Sequence, residues 1–329
     1  MKKTKFVQIT LAIVISLTMV SCSNSGEVNS IKTKVTKHKY FPHLASASGI
    51  EFVDGKIYIV GDDSPYLFQL DEDWNIIDKQ KISGIDLIVN GRTPKKLKAD
   101  FESMAYLKED GEDKLLILSS GSKKTKRDTA FLIPLSGNGK LIKKNMRPIF
   151  NSIKQEAGLK PENKINIEGL AFSNNKVYLL HRGNISGNFI VEIEREPLLS
   201  FIKSETNLLP EVKAHPFNLP NDKGIAAGFS GTCILAEYSG MLFTASLENT
   251  NNEIEDGAVS GSYIGFISFS KMNKGNFVIQ LLTENGNTLQ KKQEGITVKS
   301  IEGNKITVLS VCDNDDGSSD LFEIEIEIY

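Results

Sequence analysis

The segment from Asn166 to Asn184, NIEGLAFSNNKVYLLHRGN, has four weak copies of itself elsewhere in the chain. They begin at Ala47 (ASGIEFVDGKIYIVGDD), Phe101 (FESMAYLKEDGEDKLLILSSGS), Phe229 (FSGTCILAEYSGMLFTASLENT) and Gln293 (QEGITVKSIEGNKITVLSVCDNDD). Each copy reads as a small or acidic residue, a Gly or Ser, an apolar run, a turn, a second apolar run and a polar cluster. With Ser48, Glu102, Glu168, Ser230 and Glu294 aligned, successive copies lie 54, 66, 62 and 64 residues apart. Self-similarity at such a period signals a repeat architecture in which no unit buries its apolar face alone.

The apolar runs are short and rich in Val, Ile, Leu, Phe and Tyr. Turn residues divide them: Asp54-Gly55, Asn174-Asn175 and Glu302-Gly303-Asn304. This pattern predicts hairpins. In the first copy a third strand follows at about Tyr66–Leu70 and a fourth at about Ile76–Ile82, and four antiparallel strands per unit make a propeller blade. The predicted fold is therefore all-β, a five-bladed β-propeller of four-stranded antiparallel blades. Helix is expected only in connectors such as NSIKQEAG and PLLSFIKS. The last copy ends after its third strand, whereas Ser30–Phe41 (SIKTKVTKHKYF) alternates like a strand and belongs to no copy. It is expected to supply the outer strand of the last blade, giving one domain over 31–329. Reading it as a solvated linker is the alternative.

In such a blade the fourth-to-first and second-to-third connections emerge on one face, and here they are the long, polar ones. Binding residues gather on loops held by a rigid scaffold. The leading positions bring Glu102, Glu168 and Glu294 to this mouth, with Ser48 and Ser230. The second-strand ends add Asp62-Asp63, His181-Arg182-Asn184, Glu248-Asn249 and Asp313 to Asp316. Carboxylates crowded around one opening need an offsetting charge. Asp62, Asp63, Glu102, Glu294 and Asp313 are candidate ligands for Ca²⁺, which takes oxygen donors. Capping of strand ends and pairing with Arg182 is the alternative. CDNDDGSSDLFE nearly fits a calcium loop, but Cys312 stands at its first ligand position and strands flank it, which excludes an EF-hand. Two basic segments, GRTPKKLKADFE and GSKKTKRD, fall in long-face loops of the second blade. Their Lys98, Lys123 and Arg127, with Arg182 and Asn184, are candidate binders of an anionic small molecule; a solvated loop pair is the plainer reading. No Gly-x-Ser-x-Gly, His-Glu-x-x-His or phosphate-loop motif is present. Only His181 among the four histidines is expected at the mouth, where Glu168 or His181 is the candidate proton carrier.

The chain opens with Lys2, Lys3 and Lys5 ahead of an apolar run, Phe6 to Val20, that is short for a membrane span. The ending MVSC resembles a bacterial lipobox. It implies a lipoprotein signal peptide over 1–21, lipidation at Cys22, a tether over 22–30 and a membrane partner through the lipid anchor. No Asp follows Cys22, which by resemblance to a known sorting rule implies the outer membrane of the cell envelope. Removing 1–21 takes away three lysines and moves the formal charge from −2 to −5. An acidic chain argues against nucleic acid as a partner. Cys233 and Cys312 sit in apolar runs, as buried thiols or as a disulfide. A monomer is expected.

At SGIEF…YIVGDD, DFESMAY, NIEGLAF…YLLHRGN, GFSGTCI and QEGITV…LSVCDN the chain resembles the esterase-like phytase family, and it looks closer still to a group of bacterial propeller proteins sharing a GRTPKKLKADFE-like segment. The resemblance spans about residues 45–328. Glu102, Glu168 and Glu294 match the recurrent Glu-Gly position, with Ser103 in place of Gly and Thr232 in place of an apolar residue. It implies metal-assisted hydrolysis of an ester or phosphoester at the mouth. The alternative is a non-catalytic module binding an envelope protein or glycan, since fold kinship transfers poorly to activity.

Overall fold

The computed structural model describes residues 27–137, 139–183, 186–250 and 257–329. The signal segment, Cys22, most of the tether and Asn184 lie outside the described residues.

Five sheets stand around a central axis. Blade 1 consists of Ala47–Val53, Lys56–Gly61, Tyr66–Leu70 and Ile76–Lys81. Blade 2 consists of Phe101–Glu109, Glu112–Ser119, Thr129–Pro134 and Ile142–Asn145. Blade 3 is built from Ile167–Phe172, Lys176–His181, Asn188–Glu194 and Val212–Phe217. Blade 4 is built from Ile225–Leu235, Gly240–Asn249, Ala258–Ser268 and Val278–Leu281, with a two-residue edge ladder at Asn221–Asp222. Blade 5 takes Lys292–Glu302, Lys305–Asp313 and Ser319–Ile328, and its outer strand is Ile31–Phe41. Each inner strand packs against the next, and the fifth packs against the first, so the ring is closed. The fold is the expected five-bladed propeller.

Hairpin chemistry sets the strand reversals. Asp54 and Gly55 both have positive φ, as do Asp110 and Gly111, which is the two-residue turn whose twist matches the flanking strands. Closure by the N-terminal strand runs antiparallel from Ile31↔Ile328 to Phe41↔Ser319. Asn29 and Ser30, at the end of the expected tether, already donate to the Tyr329 carbonyl at 2.7 and 3.2 Å. Ile31 lies at the face opposite the mouth.

Each blade-to-blade interface has its own apolar core. Between blades 2 and 3 this core is thickened by the helices Arg147–Glu156 and Arg195–Ile202, the first of which buries Ile149, Phe150 and Ile153 along one face. Cys233 and Cys312 are free, buried thiols. Burial pushes the Cys233 thiol well above its ordinary pKa, so both cysteines act as apolar filling.

Candidate functional site at the channel mouth

All five inner strands carry a β-bulge at the same place. The register slips between Ala47 and Gly49, Phe101 and Ser103, Ile167 and Gly169, Phe229 and Gly231, and Gln293 and Gly295. The extra residue is in turn Ser48, Glu102, Glu168, Ser230 and Glu294, the five leading positions of the repeat. A bulge re-aims one side chain and increases local twist. The residue that follows is Gly in four blades, and in two of them the neighbouring backbone leaves no room for a side chain: a Cβ on Gly231 would lie 2.1 Å from the Glu294 carbonyl oxygen, and one on Gly295 would lie 2.6 Å from that of Ser48.

The mouth divides into two charge clusters. In blades 1 and 2, Lys98 pairs with Asp62, with Asp63 at 3.2 Å and with Asp100 at 3.2 Å. Arg127 holds Asp100 at 2.8 Å, and Arg92 Nε donates to Asp63 at 2.6 Å. Burial opposes the charge on Lys98, yet Asp62, Asp100, Glu102 and Asp63 hold its pKa well above the lysine range. In blades 3 to 5, Arg182 reaches Glu168 at 3.3 Å, Glu294 at 3.9 Å and Glu248 in a closer pair. Lys292 adds a contact to Glu294 at 2.9 Å, and Asn166 Nδ2 donates to Glu168 at 2.5 Å.

Glu102 is different from its equivalents. Asp62, Asp100 and Glu102 each offer an oxygen within 4.8 Å of the others. Among the described residues no donor hydrogen-bonds to Glu102, and Asp62 Oδ1 is buried without a partner. Burial, with Asp100, Asp62 and Glu168 nearby, pushes the Glu102 carboxyl well above the carboxylate range. Burial likewise lifts Asp62 to about 6, against the pull of Lys98. A divalent cation fits this all-oxygen set and would replace the protons that crowding now favours. A cleft of about 420 Å³ opens beside it, lined in part by Asp62, Asp63, Arg92, Lys95, Lys98 and Asp313.

Several expectations need correcting. His181 is wholly buried and stacks on Phe189 at 4.3 Å. Its Nδ1 lies 3.0 Å from the Asn166 amide and its Nε2 3.0 Å from the Ser186 hydroxyl, and burial drops its pKa to about 3. It is closed off from the mouth and cannot carry protons there. Nor do three serines near the mouth form a serine-histidine-acid triad with it: Ser48 donates to the Ser46 carbonyl, Ser120 to Asp100 and Ser230 to the Gln293 carbonyl. Lys98, Arg127 and Arg182 are buried ion-pair partners of carboxylates rather than an open anion cradle. Lys123 is exposed. Of the expected metal ligands, Asp62 and Glu102 come together, whereas Asp63 is neutralised by Arg92 and Glu294 pairs with Lys292 while burial still pushes its carboxyl well above the carboxylate range. Asp313 accepts the Asp315 amide at 2.8 Å and lines the cleft from blade 5. Asp100 and Lys292 were not singled out from the sequence. Asp100 stands two residues before Glu102 in a segment that reads as basic, and its one signal was that spacing.

A family model matches residues 43–326, described as a family of unknown function, DUF6929. The chain belongs to this family. No curated protein matches this family member. Among solved structures it is similar to the glutaminyl cyclase of Myxococcus xanthus, at 13% identity over 92% of this chain and 100% of that one, with a TM-score of 0.48. It is also similar to a GH43 endo-arabinanase from Bacillus licheniformis, at 13% identity over 89% and 96% of the two chains, with a TM-score of 0.43. A DUF4221-family protein from Bacteroides vulgatus matches at 12% identity over 92% and 100%, with a TM-score of 0.38.

Proposed function

We propose that this DUF6929 member binds a divalent cation at Asp62, Asp100 and Glu102 and hydrolyses an ester or phosphoester in the adjoining cleft. The supporting observation is the convergence of three carboxylates within 4.8 Å, one of which, Glu102, has no hydrogen-bond donor among the described residues. Ca²⁺ accepts such oxygen donors readily. When bound, a cation of this kind polarises an ester or phosphoryl oxygen and acidifies water. Arg92 and Lys95 line the cleft and would orient an anionic group there. Glu168, the next bulged glutamate on the ring and close enough to raise the Glu102 pKa, is the candidate proton acceptor. The reaction class comes from the resemblance to esterase-like phytases. The same proposal puts the protein in the cell envelope, lipid-anchored through Cys22 at the outer membrane.

A second reading, a non-catalytic module for an envelope protein or glycan, is favoured by one observation. Arg92, Lys98, Arg127, Arg182 and Lys292 already neutralise most of the mouth carboxylates, and the nearby histidine is sealed.

Thermal unfolding with Ca²⁺, Mg²⁺ or a chelator tests the cation. Binding only to the folded state stabilises by about 2.7 kcal/mol at a hundredfold excess over Kd, so the midpoint rises with cation in the wild type and stays flat in Glu102→Gln. No shift with any divalent cation removes the metal. Model ester and phosphoester turnover that persists unchanged in Glu102→Gln sinks the hydrolase; silence across those substrates, with a partner recovered from envelope extract, supports the module.

A further inference from the structure

Lys98 stands where the cation would go. Its ammonium pairs with Asp62 and lies 3.2 Å from Asp63 and 3.2 Å from Asp100. Asp62 and Asp100 are two of the three carboxylates whose oxygens converge, with that of Glu102, within 4.8 Å. The Lys98 side chain is only 8% exposed, so water does little to shield these pairs. The two arginines of the same cluster are anchored differently. Arg92 also donates to the Asp315 carbonyl at 2.7 Å, and Arg127 to the Ser122 hydroxyl and the Lys95 carbonyl, both at 3.4 Å. Each ties loops together besides carrying charge, and a forked guanidinium leaves such a place only by breaking several bonds.

The Lys98 ammonium, among the described residues, bonds to carboxylates alone, and a metal ion can take over every one of those contacts. It is a compact charge on a flexible stem. That stem rises from a surface turn in which the Leu97 and Lys98 amides both donate to the Pro94 carbonyl, at 2.7 and 3.1 Å, and Lys95, Lys96 and Leu97 are exposed. Lys98 also lines the cleft of about 420 Å³, where Asp313 and Asp315 offer carboxylates to a displaced ammonium. Charge decides between addition and exchange. Around Lys98, the carboxylates of Asp62, Asp63, Asp100 and Glu102 face three cations, Lys98, Arg92 and Arg127. A divalent cation added beside Lys98 would leave this buried cluster positive, and uncompensated buried charge is costly. A divalent cation in place of Lys98 balances the four carboxylates together with the two arginines. A monovalent one does not.

We propose that Lys98 is a tethered competitor for the cation site: its ammonium holds the place between Asp62 and Asp100 while no metal is bound, and a divalent cation enters by expelling it into the cleft. This rests on the reading of Asp62, Asp100 and Glu102 as the cation site. The exchange limits affinity, because the ion displaces an ammonium that four carboxylates hold, and it favours divalent over monovalent ions. It also frees a lysine at the cleft in the metal-bound state.

The test follows Lys98 itself in the purified wild-type protein. Amine acetylation by a succinimidyl ester, read by peptide mass spectrometry, is run with calcium chloride, with magnesium chloride, with sodium chloride of equal ionic strength and with chelator. Exposed Lys223, on blade 4, is the internal reference. Lys98 is expected to be protected in chelator and in sodium chloride. With the divalent cation bound it should label at least about tenfold faster while Lys223 is unchanged, because release from the carboxylates exposes the amine and lowers its pKa. Melting of Lys98→Met gives a second reading. With the competitor gone, Ca²⁺ should raise the midpoint at concentrations at least about tenfold lower than in the wild type. If that variant does not fold, the wild-type labelling decides by itself. A wild-type midpoint that rises with a divalent cation while Lys98 stays protected overturns the exchange and leaves the cation site standing, as does a folded Lys98→Met that binds no more tightly. Fast labelling of Lys98 in chelator overturns it as well. No midpoint shift with any divalent cation removes the site and this inference with it.

Discussion

Glu102 and Glu168 occupy the same bulged position in successive blades, and their surroundings make them different groups. Glu168 has the Arg182 guanidinium and the Asn166 amide, while Glu102 faces Asp62 and Asp100. Arg182 is the residue on which most of the ring's charge balance rests, because Glu168, Glu248 and Glu294 arrive from three blades and converge on it. Burial opposes a charge on Arg182, and those glutamates more than offset this by holding its pKa above the arginine range. Removing one partner of a buried pair leaves uncompensated charge, typically at a cost of about 3–5 kcal/mol. Arg182→Met is accordingly expected to lower unfolding free energy by about that amount at neutral pH, measured by urea denaturation. A loss below about 1 kcal/mol would mean that Lys292 alone suffices. Sequence showed an arginine after a strand end; it did not show three acids around it, because they lie 14, 66 and 112 residues away along the chain.

At the level of the element, the bulge and the glycine after it work as one device. The bulge turns a polar side chain at the mouth, and the glycine lets the next inner strand approach. Gly231 is the tightest case, with the Glu294 carbonyl where its Cβ would be. Backbone cannot swing aside as a side chain can, so Gly231→Ala should cost about 1–3 kcal/mol by forced displacement. Differential scanning calorimetry would show this as a lowered midpoint, and an unchanged midpoint would mean that blades 4 and 5 can separate there freely. Ser103 occupies the same step in blade 2, where its hydroxyl is buried and unpartnered. The repeat unit, the hairpin turns and the five leading positions were legible because period-2 alternation and Asp-Gly turns are local signals. The bulge itself was not, since a one-residue slip appears only when two strands are paired.

For the whole molecule, closure depends on contacts between blades. The N-terminal strand completes blade 5 and covers the edge of Ser319–Ile328. Glu51 supplies a second tie, accepting the Tyr106 amide of blade 2 at 3.0 Å and the Thr297 hydroxyl of blade 5 at 3.0 Å. Burial lifts its pKa to about 7 from an ordinary 4.5. A folded-state pKa above the unfolded one means that the folded protein binds more protons in between. Its contribution is full below about pH 4.5 and is lost as pH rises through about 7, with a slope of at most about 1.4 kcal/mol per pH unit. In Glu51→Gln this component should vanish, flattening the stability profile between pH 5 and 8; an identical profile in variant and wild type would refute it. By itself the sequence determined the five repeats, the strand content and the acidic character of the mouth, because alternation and turn residues are written over a few neighbouring positions; it pointed to the closing role of Ile31–Phe41, which the pairing with Ser319–Ile328 decided over a linker. Only the tertiary structure decided that Lys98, Arg127 and Arg182 are partners of carboxylates, that His181 is sealed in a blade and that Asp100 joins Asp62 and Glu102. Those outcomes depend on ring radius and on the direction in which each bulged side chain points, and both arise only once five blades close on one another.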